Sequence, residues 1–137
     1  MMMARGEEIV SDFGCERCWP TTADDAWQAR NSLVTEHDLI DESYFHVMIQ
    51  FCRDCSQRFV SVFTETVDWV DGDDPQYWTV LPITTEEAVQ LVERGASLTE
   101  GEVHTLGSSR HCLQRDYPKG EAARSYWRLG VSVGRHD

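Results

Sequence analysis

Cys15-Glu16-Arg17-Cys18 and Cys52-Arg53-Asp54-Cys55 repeat one spacing that suits thiolate chemistry. Two residues between cysteines let the backbone curl until both sulfurs face one ion at about 2.3 Å, with turn N–H groups free to donate to them. Two such pairs complete a tetrahedral shell, which is the expected home of one structural Zn2+. Iron in the same four-sulfur geometry is the chemical alternative. A filled four-cysteine shell leaves no coordination position for water or substrate, so no zinc catalysis is expected. A thioredoxin-like role would need a helix beginning at the reactive cysteine, and neither pair has that setting.

The elements that must hold these ligands can be read from periodicity. Thr22-Ala23-Asp24-Asp25 opens like a capping box, and Ala26, Trp27, Arg30, Leu33 and Val34 recur at helical spacing, which predicts a helix over about 23–35. Residues 44–51 alternate as a strand, with Phe45, Val47, Ile49 and Phe51 on one face. A second β-branched run extends over 59–69, so Cys52 to Cys55 falls at a hairpin tip. Asp71-Gly72-Asp73-Asp74-Pro75 is a turn on composition. Beyond it a strand is predicted over 77–83 and a helix capped by Thr84 to Glu87 and ended by Gly95. A short helix opens at Thr99-Glu100-Gly101-Glu102, and a final hairpin joins 110–116 to 125–133.

The two cysteine pairs and the hairpin around the second resemble the zinc-ribbon class, over about half the chain. The resemblance implies an α+β fold: a zinc-ribbon-like β-hairpin module with a short helix in the spacer, followed by a small α+β C-terminal extension. This chain departs from the class in two ways. Its pairs are separated by 33 residues, against about 15–20 in common motifs, and Trp19 and Ser56 stand where Gly usually follows the second cysteine. The longer spacer is tolerable, because doubling a loop costs only about 0.6 kcal/mol against about 10–16 kcal/mol for structural zinc. The expected organisation is one compact domain over 1–137, with a zinc-binding lobe at 9–70 and an α+β lobe at 76–137.

Other reactive residues carry weaker signals. Cys112 beside His111 invites a nucleophile-and-base reading, but neighbours on a strand point to opposite faces, so Cys112 is expected to be a small core residue. His46 and His104 have no paired acid or nucleophile in view. Asp68, Asp71, Asp73 and Asp74 do not follow EF-hand spacing and read as a solvated acidic turn. Arg110, Arg115, Trp127 and Arg128 are the candidate ligand or partner patch of the C-terminal segment.

Charge distribution separates the functional options. The chain carries 12 Lys+Arg and 24 Asp+Glu, a net charge of −12. Residues 1–106 hold 6 cations against 21 carboxylates, and residues 107–137 hold 6 against 3. Phosphate contacts supply most non-specific nucleic-acid affinity, so nucleic-acid binding would have to use the basic 107–137 segment. The leading expectation is a non-enzymatic, zinc-stabilised domain with a protein partner. A nucleic-acid-binding ribbon and a thiol redox switch are the alternatives. No segment reaches the roughly 20 apolar residues of a membrane span, and residues 1–8 lack an apolar leader core, so a cytoplasmic location is expected.

Overall fold

The computed structural model describes residues 8–134. The leader-free reading of the N-terminus therefore lies, apart from Glu8, outside the described residues. The chain forms a mixed α+β fold built on one antiparallel sheet whose six strands neighbour one another in chain order. These are β1 (Val34–Glu42), β2 (Phe45–Phe51), β3 (Arg58–Glu65), β4 (Gln76–Ile83), β5 (His111–Tyr117) and β6 (Arg124–Leu129). Among the described residues, three α-helices, α1 (Ala23–Ala29), α2 (Thr85–Arg94) and α3 (Glu100–His104), lie outside the sheet. Because β3 pairs with β4, residues from 9–70 and from 76–137 share this sheet.

Both sheet faces are covered, which explains why the central strands read as nearly continuous apolar runs. Val47, Ile49, Val60, Val62, Leu81, Ile83 and Cys112 pack on one face beneath Ala88 and Leu91 of α2 and Val103 of α3. Phe59, Val80, Leu113 and Trp127 pack on the other, beneath Trp19, Ala26, Trp27, Cys18 and Cys52. Strand alternation assigns adjacent residues such as Phe59 and Val60, or Cys112 and Leu113, to opposite layers. Cys18 and Cys52, with Cys15 packed against them, thus belong to one layer and the α2–α3 cover to the other.

Several sequence expectations are corrected. The predicted 23–35 helix stops at Ala29, passes through a 3-10 turn at Arg30–Ser32, and gives way at Val34 to β1. Asn and Ser are poor helix formers and Val and Thr favour strands, so local propensity changes sign there. β1 escaped notice because Val34–Glu42 is mostly exposed and polar. Its register breaks between Thr35 and His37 and again between Asp38 and Ile40; such bulges and charges are how an edge strand resists unwanted pairing. The predicted strand over 59–69 ends at Glu65. The chain then loops back to β4, with Thr66 N–H donating to Pro75 O at 3.1 Å and Asp68 N–H to Asp74 Oδ1 at 2.7 Å.

The α2 and α3 starts follow the sequence closely. Thr84 accepts from Glu87 N–H while Glu87 accepts from Thr84 N–H, and Thr99 and Glu102 repeat the exchange. Gly95, at φ 49°, ends α2.

Candidate metal centre

Cys15, Cys18, Cys52 and Cys55 converge from 37 residues apart, with all four Sγ atoms within 4.8 Å of one another. The Cys15–Cys18 and Cys18–Cys55 sulfurs are 3.7 Å apart, and those of Cys15 and Cys52 are 3.9 Å apart. A tetrahedron with metal–sulfur bonds of about 2.3 Å has edges of about 3.8 Å. Disulfide sulfurs would lie at about 2.05 Å, so these are thiols poised round a common centre. The donor set and spacing fit a metal ion.

Local backbone geometry explains how each pair is shaped. Trp19 N–H donates to Cys15 O and Ser56 N–H donates to Cys52 O, both at 2.8 Å. The two knuckles are therefore built by the same four-residue closure. Within them, Asp54 N–H points at Cys52 Sγ (3.4 Å) and Cys15 N–H at Cys18 Sγ (3.3 Å), contacts that favour thiolate. Ser56 has φ 67°, taking up the left-handed conformation that glycine usually supplies at this knuckle position. Gly14, at φ 73°, could not carry a side chain: an added Cβ would come within 2.8 Å of Trp19 Cβ and 3.0 Å of Cys18 Sγ.

Gln57 joins the knuckles and was missed in the sequence. Its Oε1 accepts from Gly14 N–H at 3.0 Å, while its Nε2 donates to Arg58 O at 2.7 Å and Ile83 O at 2.8 Å. One amide so ties the first knuckle to the β2–β3 tip and to the end of β4. The signal was a Gln two residues after Cys55, but its partners Gly14 and Ile83 are remote in sequence. The Trp19 ring sits under the first knuckle, 5.2 Å from Phe59 and 5.0 Å from Trp127.

Three of the four thiols, Cys15, Cys18 and Cys55, are moved from the ordinary thiol range by their surroundings. Burial raises the Cys15 thiol's pKa, but N–H donation by Cys18 and Arg17 outweighs it, bringing the group from 9.0 to about 7. Burial and the neighbouring sulfurs push Cys18 well above its ordinary value, and burial pushes Cys55 up as well. Thiols packed this closely cannot all ionise alone, whereas a coordinated cation inverts that preference. Of the arginines beside the ligands, Arg17 pairs with Asp54 at 3.3 Å and Arg58 with Glu36 at 2.9 Å.

The remaining candidate residues are dispersed. Arg110 donates to Glu87 Oε1 (2.9 Å) and Pro82 O (2.7 Å) beside the start of α2. Arg115 lies over Trp27 and Tyr117 on the metal-side face. Trp127 is buried there, donating its indole N–H to Thr21 O at 3.1 Å. Arg128, next in the strand, faces the opposite side, where it lines a polar recess with Tyr77, Gln114, Asp116, Tyr126 and Ser132. Cys112 is fully buried, donates to Gly130 O at 2.8 Å, and is raised by burial to about 12, while His111 is exposed. The acidic turn already has its cation: Lys119 reaches Asp68 at 2.6 Å and Asp71 at 3.0 Å, holding Asp68 down at about 2.

No protein-family model, curated protein or solved structure matches this chain. The tetracysteine cluster is accordingly the strongest guide to what the domain does. Among the described residues, no helix is long and apolar enough to cross a membrane.

Proposed function

We propose that the chain is a non-enzymatic domain stapled by one structural zinc ion and engaged by a protein partner. The observation that carries the reading is the set of four sulfurs at tetrahedron-edge separations, because a complete thiolate shell offers rigidity without an open site. Four thiolates and Zn2+ together carry −2, lowering the net charge from −12 to about −14. Zinc in this site would be colourless and iron red. Elemental analysis of protein purified without added metal is expected to find one zinc per chain, lost in Cys18→Ser. Iron at one per chain would replace the zinc assignment, and absence of any transition metal would end it.

The β3–β4 loop is the surface best suited to the partner. Trp69 and Val70 are 85% and 91% exposed, flanked by Asp68 and Asp71, while Lys119 and the Gly120 N–H brace the loop from the β5–β6 turn. An exposed Trp flanked in sequence by carboxylates suits an apolar pocket with a basic rim. Photo-crosslinking from position 69 in cells is expected to capture one defined protein, with capture lost when Asp71 and Asp73 are neutralised. Absence of a defined adduct would defeat this reading.

The nucleic-acid alternative would draw on residues 107–137, but Arg110, Lys119 and Arg124 of that segment are already ion-paired. Retarded nucleic acid at low salt would favour it. Zinc release at mild peroxide concentrations would favour the redox switch.

A further inference from the structure

Carboxylates outnumber cations two to one in this chain, and most of the described cations are spoken for. Arg17, Arg58, Arg94, Arg110, Lys119 and Arg124 each pair with a carboxylate. Arg53 and Arg128 have no such pair among the described residues, and neither do Arg30 and Arg115, which differ in sharing one aromatic cluster. Arg30 and Arg115 gather round one indole. The Arg30 guanidinium carbon lies 3.6 Å from the Trp27 ring centroid and 5.0 Å from that of Trp78. That of Arg115 lies 5.3 Å from Trp27 and 4.9 Å from Tyr117.

Their hydrogen-bonding capacity is largely unused. The Nε atoms of both side chains are buried without a partner. The sole side-chain hydrogen bond of the pair among the described residues runs from Arg115 Nη1 to Ser125 Oγ at 2.9 Å. Burial lowers the Arg30 pKa, and the Arg115 charge lowers it further against the raising effect of Tyr117, so the cations feel each other. Two like charges on the faces of one aromatic cluster, with Arg115 Nη1 alone of their Nη groups bonded to a described residue, are disposed to accept an anion through the remaining Nη donors. Beside them, Trp78, Phe63 and His46 continue across the sheet as a half-buried aromatic row, with ring centroids 4.5 Å and 5.7 Å apart.

We propose that Arg30 and Arg115 form a binding site for the phosphate group of a small molecule. Two guanidiniums match the charge of about −1.5 to −2 that a phosphate monoester carries at neutral pH, whereas a single carboxylate would leave one of them unbalanced. The aromatic row offers a surface for an organic portion attached to that phosphate. The site lies on the metal-side face, formed by the end of α1 and by β4 and β5, and does not use the cysteines.

The test follows the Trp27 and Trp78 indole N–H resonances of the metal-loaded protein at low ionic strength. Adenosine 5′-monophosphate, inorganic phosphate and adenosine are titrated separately. Saturable shifts with the monophosphate and none with adenosine are the expected result. Tighter binding of the monophosphate than of inorganic phosphate assigns an organic phosphate as the ligand, and equal binding assigns the free anion. Arg30→Gln and Arg115→Gln should each weaken binding at least about tenfold while leaving metal content and the β4–β5 amide spectrum unchanged. Arg30→Lys keeps charge and stem, and should bind more weakly than the parent but better than Arg30→Gln. The proposal is overturned by no saturable shift at about 10 mM phosphate compound, by equal shifts with adenosine, or by binding that survives both Gln substitutions.

Discussion

Ser56 occupies φ 67°, a conformation that costs a residue with a Cβ about 1–2 kcal/mol. Glycine relieves that cost but loses more freedom on folding, about 0.5–1 kcal/mol. Ser56→Gly is therefore expected to stabilise the metal-loaded protein by up to about 1 kcal/mol, or about 3 °C in Tm, while Ser56→Val lowers it. Thermal melts of the three proteins decide the matter, and a less stable glycine variant would contradict the strain account. Gln57 presents the opposite case, since its one amide satisfies three backbone groups of three segments. Gln57→Leu keeps the bulk and loses all three bonds, at about 1 kcal/mol each for this half-buried position. Because the amide positions the first knuckle, metal affinity should also fall about 10–100-fold. Competition against a chromophoric chelator measures this, and unchanged affinity would mean that the clasp is not needed for binding.

At the scale of elements, α2 is fixed at its first turn. Thr84 and Glu87 close its first turn, and Arg110, from the approach to β5, returns to the same carboxylate at 2.9 Å and 3.3 Å. Burial pushes Glu87 up, but bonds from Arg110 and from the Thr84 N–H prevail and hold its pKa below the ordinary 4.5. A carboxyl with a depressed folded pKa contributes its full stability above the unfolded value and loses it as pH falls through the folded one. Glu87→Gln should therefore be less stable than the parent at neutral pH, with the difference shrinking below about pH 4.5. Urea titrations of both proteins across that range test it, the metal contribution being common to the two. A difference that grows on acidification would reverse the assignment. Thr84→Ala removes the cap itself and should cost about 1 kcal/mol, read as a shift in urea midpoint without a change in slope.

For the whole molecule, the two faces of the sheet are expected to depend on a metal bound by the four cysteines to different degrees. The layer beneath α2, from Phe45 and Val47 to Leu81, Ile83 and Cys112, contains none of the four ligands. The opposite layer contains Cys18 and Cys52, with Cys15 packed against it. Chelation is thus expected to release residues 8–29 and the 52–57 tip while the β4–β5 pairing survives, so hydrogen exchange should quicken in the former and change little in the latter. Uniform exchange throughout the chain would show that the metal supports the entire fold.

The clustering within each cysteine pair was legible in the sequence because the Cys-x-x-Cys spacing brings two sulfurs together within one short turn through local backbone alone. The alternating face of β2 and the capping boxes at Thr84 and Thr99 were equally plain, since each rests on neighbours within a few residues. Tertiary structure decided the rest. β1 carries no apolar alternation and is a strand only because β2 pairs with it along an edge. Arg110, Arg115, Trp127 and Arg128, close in sequence, were separated by the opposed faces of the sheet and by partners such as Glu87 and Thr21. Gln57 and Arg30 gained their roles from Gly14, Ile83 and Trp78 across the fold. Contacts of that kind depend on strand order and register, which local patterning does not encode.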